Sequence, residues 1–555
     1  MSRALTPRTN LDTLRKDAKR WLKALRAGDA AARDRLLAVW PKAPAEPVLR
    51  DAQQAIALEY GCESWIALKA AVADLAFVRQ TNAQRVDQLL GHGWGGDIAV
   101  ARRILQRYPQ IARESLFTAA TCGDLAEVER RLARDPDAAT RTGGPRDWTA
   151  LAFIAYGRLD PENALVIARR LLEAGADPNF QFDDGWGSAF KVVTGAIGLG
   201  EGAKPSHPQA LELVELLIEA GADPYDSQAL YDISIVGDDT DWYDLLWRHC
   251  EARGRTDPWR VVGEGSLGGE KVSTLDYLLG NAVGQNHLDR AEWLLARGAS
   301  PDAPHFYTGR PVLALAQLSG FLDMAALLER RGARPAPLDG VRALQAACLA
   351  PDEARARALA AADPGLLGDP EPLLKAAELG NAPAVALLLA LGAPVDGLDP
   401  VGISPLHRAV QSGSLEAVDA LLAAGADADL REHRWNGTPM SWAVVLGRPH
   451  LAERLAPLSH DVRPLAYLGL LERLEAVLRE EPDRARHLLP NDVGTTTLFS
   501  LPEDDDAAAE VVGLLLAAGA DPTILNKNGQ TAIDVARDHD LDKAADLMEA
   551  RRDGH

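Results

Sequence analysis

Residues 404–429 read SPLHRAVQSGSLEAVDALLAAGADAD, and this stretch decides the fold. Ser404 followed by Pro405 predicts a helix start: a hydroxyl that can cap free N–H groups, then a ring whose fixed φ suits the first helical position. Leu406, Ala409 and Val410 recur at helical spacing and give that helix one apolar stripe. Gly413 ends it, because glycine tolerates the positive φ that a helix terminus favours. Val418, Leu421 and Leu422 form the apolar face of a second helix, which Gly425 ends. Neither short helix buries its apolar stripe alone, so the pair requires neighbours of the same kind.

The closing phrase supplies them. LLEAGADPN at 171–179, LIEAGADPY at 217–225, LLARGASPD at 294–302, LERRGARP at 328–335, LLALGAPVD at 388–396 and LLAAGADPT at 515–523 repeat it, with glycines at 175, 221, 298, 332, 392, 425 and 519. The gaps 298→332 and 392→425 are 34 and 33 residues. Weakened copies divide the longer gaps: LLWRHCEARG ends at Gly254, and LAPLSHDV places Ser459 where the glycine belongs. A proline-ended variant appears in ILQRYPQIAR, RRLARDPDAAT, ALAAADPGLL and VLREEPDRAR. Together these give about thirteen units of ~33 residues.

This pattern resembles the ankyrin-repeat family, whose unit runs Gly-x-Thr-Pro-Leu-His, two helices and Leu-Leu-x-x-Gly-Ala. The match is good over 400–450, including NGTPMSWAVVLGRPHLAERL, and in NGQTAIDVARDHDLDKAADLM at 528–548. The resemblance implies an all-α solenoid over 79–555. Its concave face would be made of hairpin tips and first helices, and its usual activity is protein binding. It also implies that His407 bonds backbone between repeats rather than acting in catalysis. Residues 1–78 do not follow the repeat. They predict helices near 10–27, 29–39, 48–60 and 64–75, and NLDTLRKDAKRWLKALRAGD with DAQQAIALEYGCESWIALKAAV is similar to a module that precedes ankyrin repeats in bacterial proteins. Shielding the apolar end of the array is its expected role.

The net charge is −21, which argues against nucleic acid and anionic membrane as partners. Residues 1–75 hold 13 Lys/Arg against 9 Asp/Glu; a nucleic-acid hook through Arg15, Lys16, Lys19, Arg20 and Lys23 is therefore a minor alternative, since these positions wrap around a helix. Cys62, Cys122, Cys250 and Cys348 are widely spaced and suggest neither a disulfide framework nor a zinc finger. No apolar run of about 18 residues is present, so no membrane span is expected. With charges in place of a signal-peptide core, a cytoplasmic location is expected.

Functional interest falls where the repeat is interrupted. Insertions swell the chain near 180–210 and 259–272, and insertions into repeats often carry binding. The first includes FQFDDGWGSAFKVVTGAIGLGEGAKPSHPQ, with Trp186; the second is WRVVGEGSLGGEKVST. Aromatic residues gather around them: Tyr225, Tyr231, Trp242, Tyr243, Trp247, Trp259, His305, Phe306 and Tyr307. These rings either fill cavities left by irregular stacking or line a recognition surface. Arg434 and Trp435 complete the candidate binding set. Interleaved acids (Asp183, Asp184, Asp226, Asp232, Asp238, Asp239, Asp241, Asp244) either cap helices and turns or, with the rings, form a groove suited to a cationic ligand, a basic peptide or carbohydrate.

The principal reading is a scaffold binding a protein with a basic or mixed surface. The alternative is an enzyme or small-molecule receptor with a pocket between 180–210 and 225–310, for which Asp184, Lys191, His207, Tyr231 and Asp232 are the candidates. No catalytic motif is recognised. Two Gly-x-Gly-x-x-Gly matches, at Gly91, Gly93, Gly96 and at Gly263, Gly265, Gly268, lack the strand-helix context of a dinucleotide site. His433, His450 and His460 lack metal-ligand spacing, so neither metal nor cofactor is expected.

Overall fold

Short antiparallel helices, joined in pairs, make up most of the chain. The computed structural model describes all residues except 1–2, 7–8, 46, 79, 95–97, 160–161, 184, 186–188, 201–203, 264, 336, 351, 488–494 and 554–555. The pair read first from sequence is Pro405–Ser412 with Leu415–Ala423. The Ser404 hydroxyl accepts the His407 N–H, and Ser414 caps the second helix by accepting the Ala417 N–H. Leu406, Ala409, Val410, Val418 and Leu421 are all buried. Burying one such leucine contributes about 1.5–3 kcal/mol, so a pair stands only when stacked on neighbours. Gly413 closes the first helix at φ 86°, and a Cβ there would lie 2.1 Å from an Arg448 guanidinium nitrogen. The positive φ favours glycine at this point, whereas the guanidinium, at the end of a flexible side chain, could swing away. The phrase glycines 175, 221, 254, 298, 332, 392, 425 and 519 all have positive φ.

The chain divides into two compact units, Met1–Thr274 and Leu275–His555. The first begins with helices Leu11–Arg26, Ala30–Val39, Leu49–Glu59 and Trp65–Val78, close to the four expected. They share a core of Leu14, Ala18, Trp21, Leu36, Ala55 and Ile56. Glu59 is buried in this module, where Arg35 meets it in bidentate fashion at 2.6 and 2.7 Å and Arg3 at 3.3 Å. Burial opposes ionisation, yet the Arg35 and Arg3 bonds prevail and hold the Glu59 carboxyl below its usual range. Of the proposed basic hook, Arg15 pairs with Asp12 and Arg20 with Asp17 on the same helix.

Further helix pairs follow in the first unit, among them Ala150–Tyr156 with Ala164–Glu173 and Val192–Ile197 with Ala210–Glu219. Two antiparallel hairpins interrupt the helical pattern: Thr142–Gly143 with Trp148–Thr149, and Gln181–Asp183 with Ala189–Lys191. In the second hairpin Phe182 faces Phe190 across the ladder. The second unit continues with pairs such as Val312–Leu318 with Leu322–Arg330 and Pro439–Val445 with Pro449–Leu455. One apolar cluster of this unit runs from Leu344 to Met548.

Candidate recognition surfaces

The first insertion is fastened to the helices beneath it. Trp148 stacks on Phe182 at 4.5 Å and on Tyr156 at 4.9 Å, and the Tyr156 hydroxyl donates to the Lys191 carbonyl at 2.8 Å. Arg158 is buried and spends its guanidinium on backbone carbonyls: Pro205 (2.7 Å), Gly195 (2.8 Å), Ala155 (2.9 Å) and Gly157 (2.8 Å). Desolvation lowers its pKa to about 10, which leaves it charged at neutral pH. By holding Gly195 and Pro205 together, Arg158 closes the inserted loop. At Gly198, φ is 69° and a Cβ would lie 2.6 Å from the Pro205 carbonyl, so glycine is required there.

Of the residues proposed for catalysis, His207 and Asp232 make local hydrogen bonds. Buried His207 accepts the Gln209 N–H on Nδ1 at 3.0 Å, and its backbone N–H donates to Ala196. Asp232 is buried and accepts from the Gln228 side chain at 2.9 Å, while its carbonyl receives the Gly200 N–H. Lys191 and Tyr231 are half-buried. Lys191 ends the inserted hairpin and exerts its charge on Asp226. Asp226 is fully enclosed; burial raises its carboxyl pKa, and Lys191 and the Thr194 hydroxyl oppose the rise. It accepts from Thr194 Oγ1 at 2.7 Å and from the Gln228 and Ala229 N–H groups at the start of the next helix.

Asp461 in the second unit repeats this arrangement. It accepts from Thr438 Oγ1 at 2.8 Å and Ser441 Oγ at 3.0 Å, pairs with Arg431 at 3.1 Å, and caps the helix Val462–Tyr467. Asp226 and Asp461 thus link successive helix pairs, a structural duty that consumes their lone pairs. Asp184 and Trp186 lie outside the described residues.

The aromatic stretch separates into core and surface. Tyr225, Trp247 and Trp259 are buried. Trp247 and Trp259 meet edge to face at 5.4 Å, and the Trp259 indole N–H points to Cys250 Sγ at 3.3 Å. The Tyr225 hydroxyl reaches the Gly265 carbonyl at 2.8 Å and Thr274 Oγ1 at 2.7 Å, tying down the second insertion. Large rings fill the space that irregular stacking leaves between helices. Trp242 is half-buried.

In the second unit the candidates sit at the tips of turns that join one helix pair to the next. His305 and Phe306 are half-buried, and Tyr307 is 65% exposed with its hydroxyl 2.7 Å from that of buried Tyr277. Burial lowers the His305 pKa. Trp435 is 62% exposed, and the Arg434 guanidinium lies 4.7 Å from its ring centroid. Glu432, which sequence reading missed, is the reason this tip has a shape. Its buried carboxylate accepts the N–H groups of Arg434 (2.6 Å), Trp435 (2.9 Å) and Gly437 (3.0 Å). Leu398, Val401 and Leu525 are exposed on the corresponding turns of other pairs. The His433 N–H donates to the Val401 carbonyl, so two of these tips are bonded to each other.

His407 has the role its motif implied. Its Nδ1 lies 2.8 Å from the Ser404 hydroxyl and its Nε2 3.1 Å from the Gly437 carbonyl of the next turn. Burial lowers its pKa, which favours the neutral ring that this geometry needs.

A groove of about 760 Å³ lies along the first helices of the last pairs. Val445 and Tyr467 border it on one side and Val535 and Leu541 on the other, with Leu498 and Phe499 between. Arg463, Glu503 and His539 supply its charged or titratable groups.

The ankyrin-repeat family model, spanning three copies, matches residues 356–432 and 373–464. No curated protein matches the chain. Among solved structures, the complex of a predatory endopeptidase from Bdellovibrio bacteriovorus with an immunity protein is similar at 24% identity, covering 32% of this chain and 96% of that one, with a TM-score of 0.25. The ankyrin repeat domain of human ASB11 is similar at 22% identity, covering 43% and 98%, with a TM-score of 0.26. The segment 356–464, which includes the stretch first read as a helix pair, is built of ankyrin repeats.

Proposed function

We propose that this chain is a protein-binding ankyrin scaffold of about thirteen units, capped by its N-terminal module and working in the cytoplasm. Its contact surface is the row of turn tips with the first helices beside them, the concave side of a solenoid. The observation that carries this reading is the set of large apolar residues held outward on the tips of the second unit, Tyr307 and Trp435 above all. Exposed aromatic side chains on a bonded frame lose little entropy on binding and are the usual anchors of an interface. The partner has a basic surface: residues 275–555 hold 41 Asp/Glu against 25 Lys/Arg, so a positive partner is attracted over the whole unit. Among the described residues no observation favours an enzyme at 180–310, and His207, Asp226 and Asp232 are engaged in local hydrogen bonds there.

Affinity capture with the full chain, compared with a Tyr307→Ala/Trp435→Ala variant and read by quantitative mass spectrometry, tests the proposal. A discrete protein should be retained by the parent and depleted about tenfold or more from the double variant. Equal retention by both, or no retained protein, would count against it.

A further inference from the structure

The groove near the C-terminus lies where a first helix shortens to one turn. Along this part of the second unit the first helices are Pro439–Val445, Val462–Tyr467 and Ala532–Asp538, of 7, 6 and 7 residues. Between the last two, in the row of first helices, the described residues ahead of the helix Asp505–Ala517 make the short 3-10 turn Thr497–Phe499. The second helix of that pair, Asp505–Ala517, is present at full length. The turn packs against both flanking first helices, so the row continues, but with about one turn of helix absent from its outer side. Val445, 85% exposed, and Tyr467 on one edge and Val535 on the other face this space. A slot left where a first helix shortens to one turn, lined by Val445, Leu498 and Phe499 together with Ser441, Arg463 and Glu503, has the form of a helix.

We infer that the slot receives a short amphipathic helix of the partner protein, with aliphatic side chains at i, i+3 and i+4 entering the groove and Lys or Arg on its flanks. This rests on the scaffold reading and names the partner chemistry at one part of it. The basic flanks follow from charge. Glu503 lines the groove together with a cation, Arg463, that donates to the Ser500 hydroxyl at 3.0 Å, and the surrounding residues 503–553 hold 13 Asp/Glu against 5 Lys/Arg. Asp504 and Asp505 spend oxygens on backbone N–H groups and Asp506 pairs with Lys543, whereas Glu503 lines the groove itself. The same charge disfavours a second copy of this chain as occupant, since its net charge is −21. Helix-in-groove recognition buries the partner's apolar stripe without asking the scaffold to rearrange.

The test uses the full chain and fluorescein-labelled synthetic peptides of about 14 residues, long enough for a nascent helix. One carries Leu at i, i+3, i+4 and i+7 with flanking Lys; a second replaces Leu by Ser; a third replaces Lys by Glu. Anisotropy should show saturable binding of the Leu/Lys peptide alone. Val445→Asp should weaken it by about tenfold or more, and Glu503→Lys by severalfold. Val445 is so exposed that the aspartate leaves the fold intact, which circular dichroism verifies. Equal binding of the Ser peptide, equal binding of the Glu peptide, insensitivity to Val445→Asp, dimerisation through the slot in sedimentation, or no binding at all would each overturn the inference. Capture that depends on Tyr307 and Trp435 is measured separately, so failure of the slot and failure of the scaffold reading are distinguishable.

Discussion

Replacing Glu432 by alanine should loosen the turn that presents Trp435 while leaving the adjoining helices in place. Three backbone N–H groups, those of Arg434, Trp435 and Gly437, converge on the Glu432 carboxylate at 2.6–3.0 Å. A hydrogen bond to a charged acceptor contributes about 1.5–3 kcal/mol, so the full set has a ceiling of roughly 5–9 kcal/mol. Arg434 and Trp435 are exposed and Gly437 half-buried, so water replaces part of what is lost. The net local cost is then roughly 2–4 kcal/mol, equivalent to about a 30- to 1000-fold loss of amide protection. Hydrogen exchange followed by mass spectrometry or NMR reads this directly. The amides of Arg434, Trp435 and Gly437 should be slow in the parent and fast in Glu432→Ala, while the helix Pro439–Val445 changes little. Rapid exchange of those amides in the parent, or protection within about threefold in the two proteins, would refute the view that Glu432 organises this tip.

Trp259→Ala should cost about 3–5 kcal/mol in unfolding free energy, because a wholly buried ring is removed from against Trp247 and Tyr225. Trp242→Ala, at a half-buried position, should cost clearly less; equal shifts in thermal unfolding would contradict the separation of core from surface. In the N-terminal module the Glu59 carboxyl is held below its ordinary value, so its contribution is present above the unfolded value near 4.5 and is lost as pH falls through the folded one. The stability advantage of the parent over Glu59→Gln should therefore be largest near neutral pH and shrink below about pH 4.5. An advantage independent of pH would refute that ion-pair assignment.

The helix pairs were legible because their determinants are local. Ser404, Pro405, Gly413 and Gly425 act through caps and allowed φ values, and the leucine stripe acts through a 3.6-residue period. The rings at 225–259 were harder to place, since a buried Trp259 and an exposed Trp435 have the same composition signal. Only three-dimensional stacking separates a ring that fills a gap from one that stands on a tip. The acids divide the same way: Asp226 is consumed by Thr194 and a helix start, a partnership 32 residues apart in sequence. Arg158 and Glu432 went unremarked because a charged residue that bonds only backbone leaves no pattern. The groove was hidden for a different reason, since it arises where a first helix shortens to one turn.

The central claim is that a protein partner is held along the turn tips and first helices of the second unit. Hydrogen exchange of the full chain, alone and with a protein recovered by Tyr307- and Trp435-dependent capture, tests it most directly. Exchange should slow at 303–311, 396–403 and 431–437, with the second helices, such as Leu415–Ala423, unchanged. Slowing confined to the second helices or to 181–210, with the tips unaffected, would contradict it.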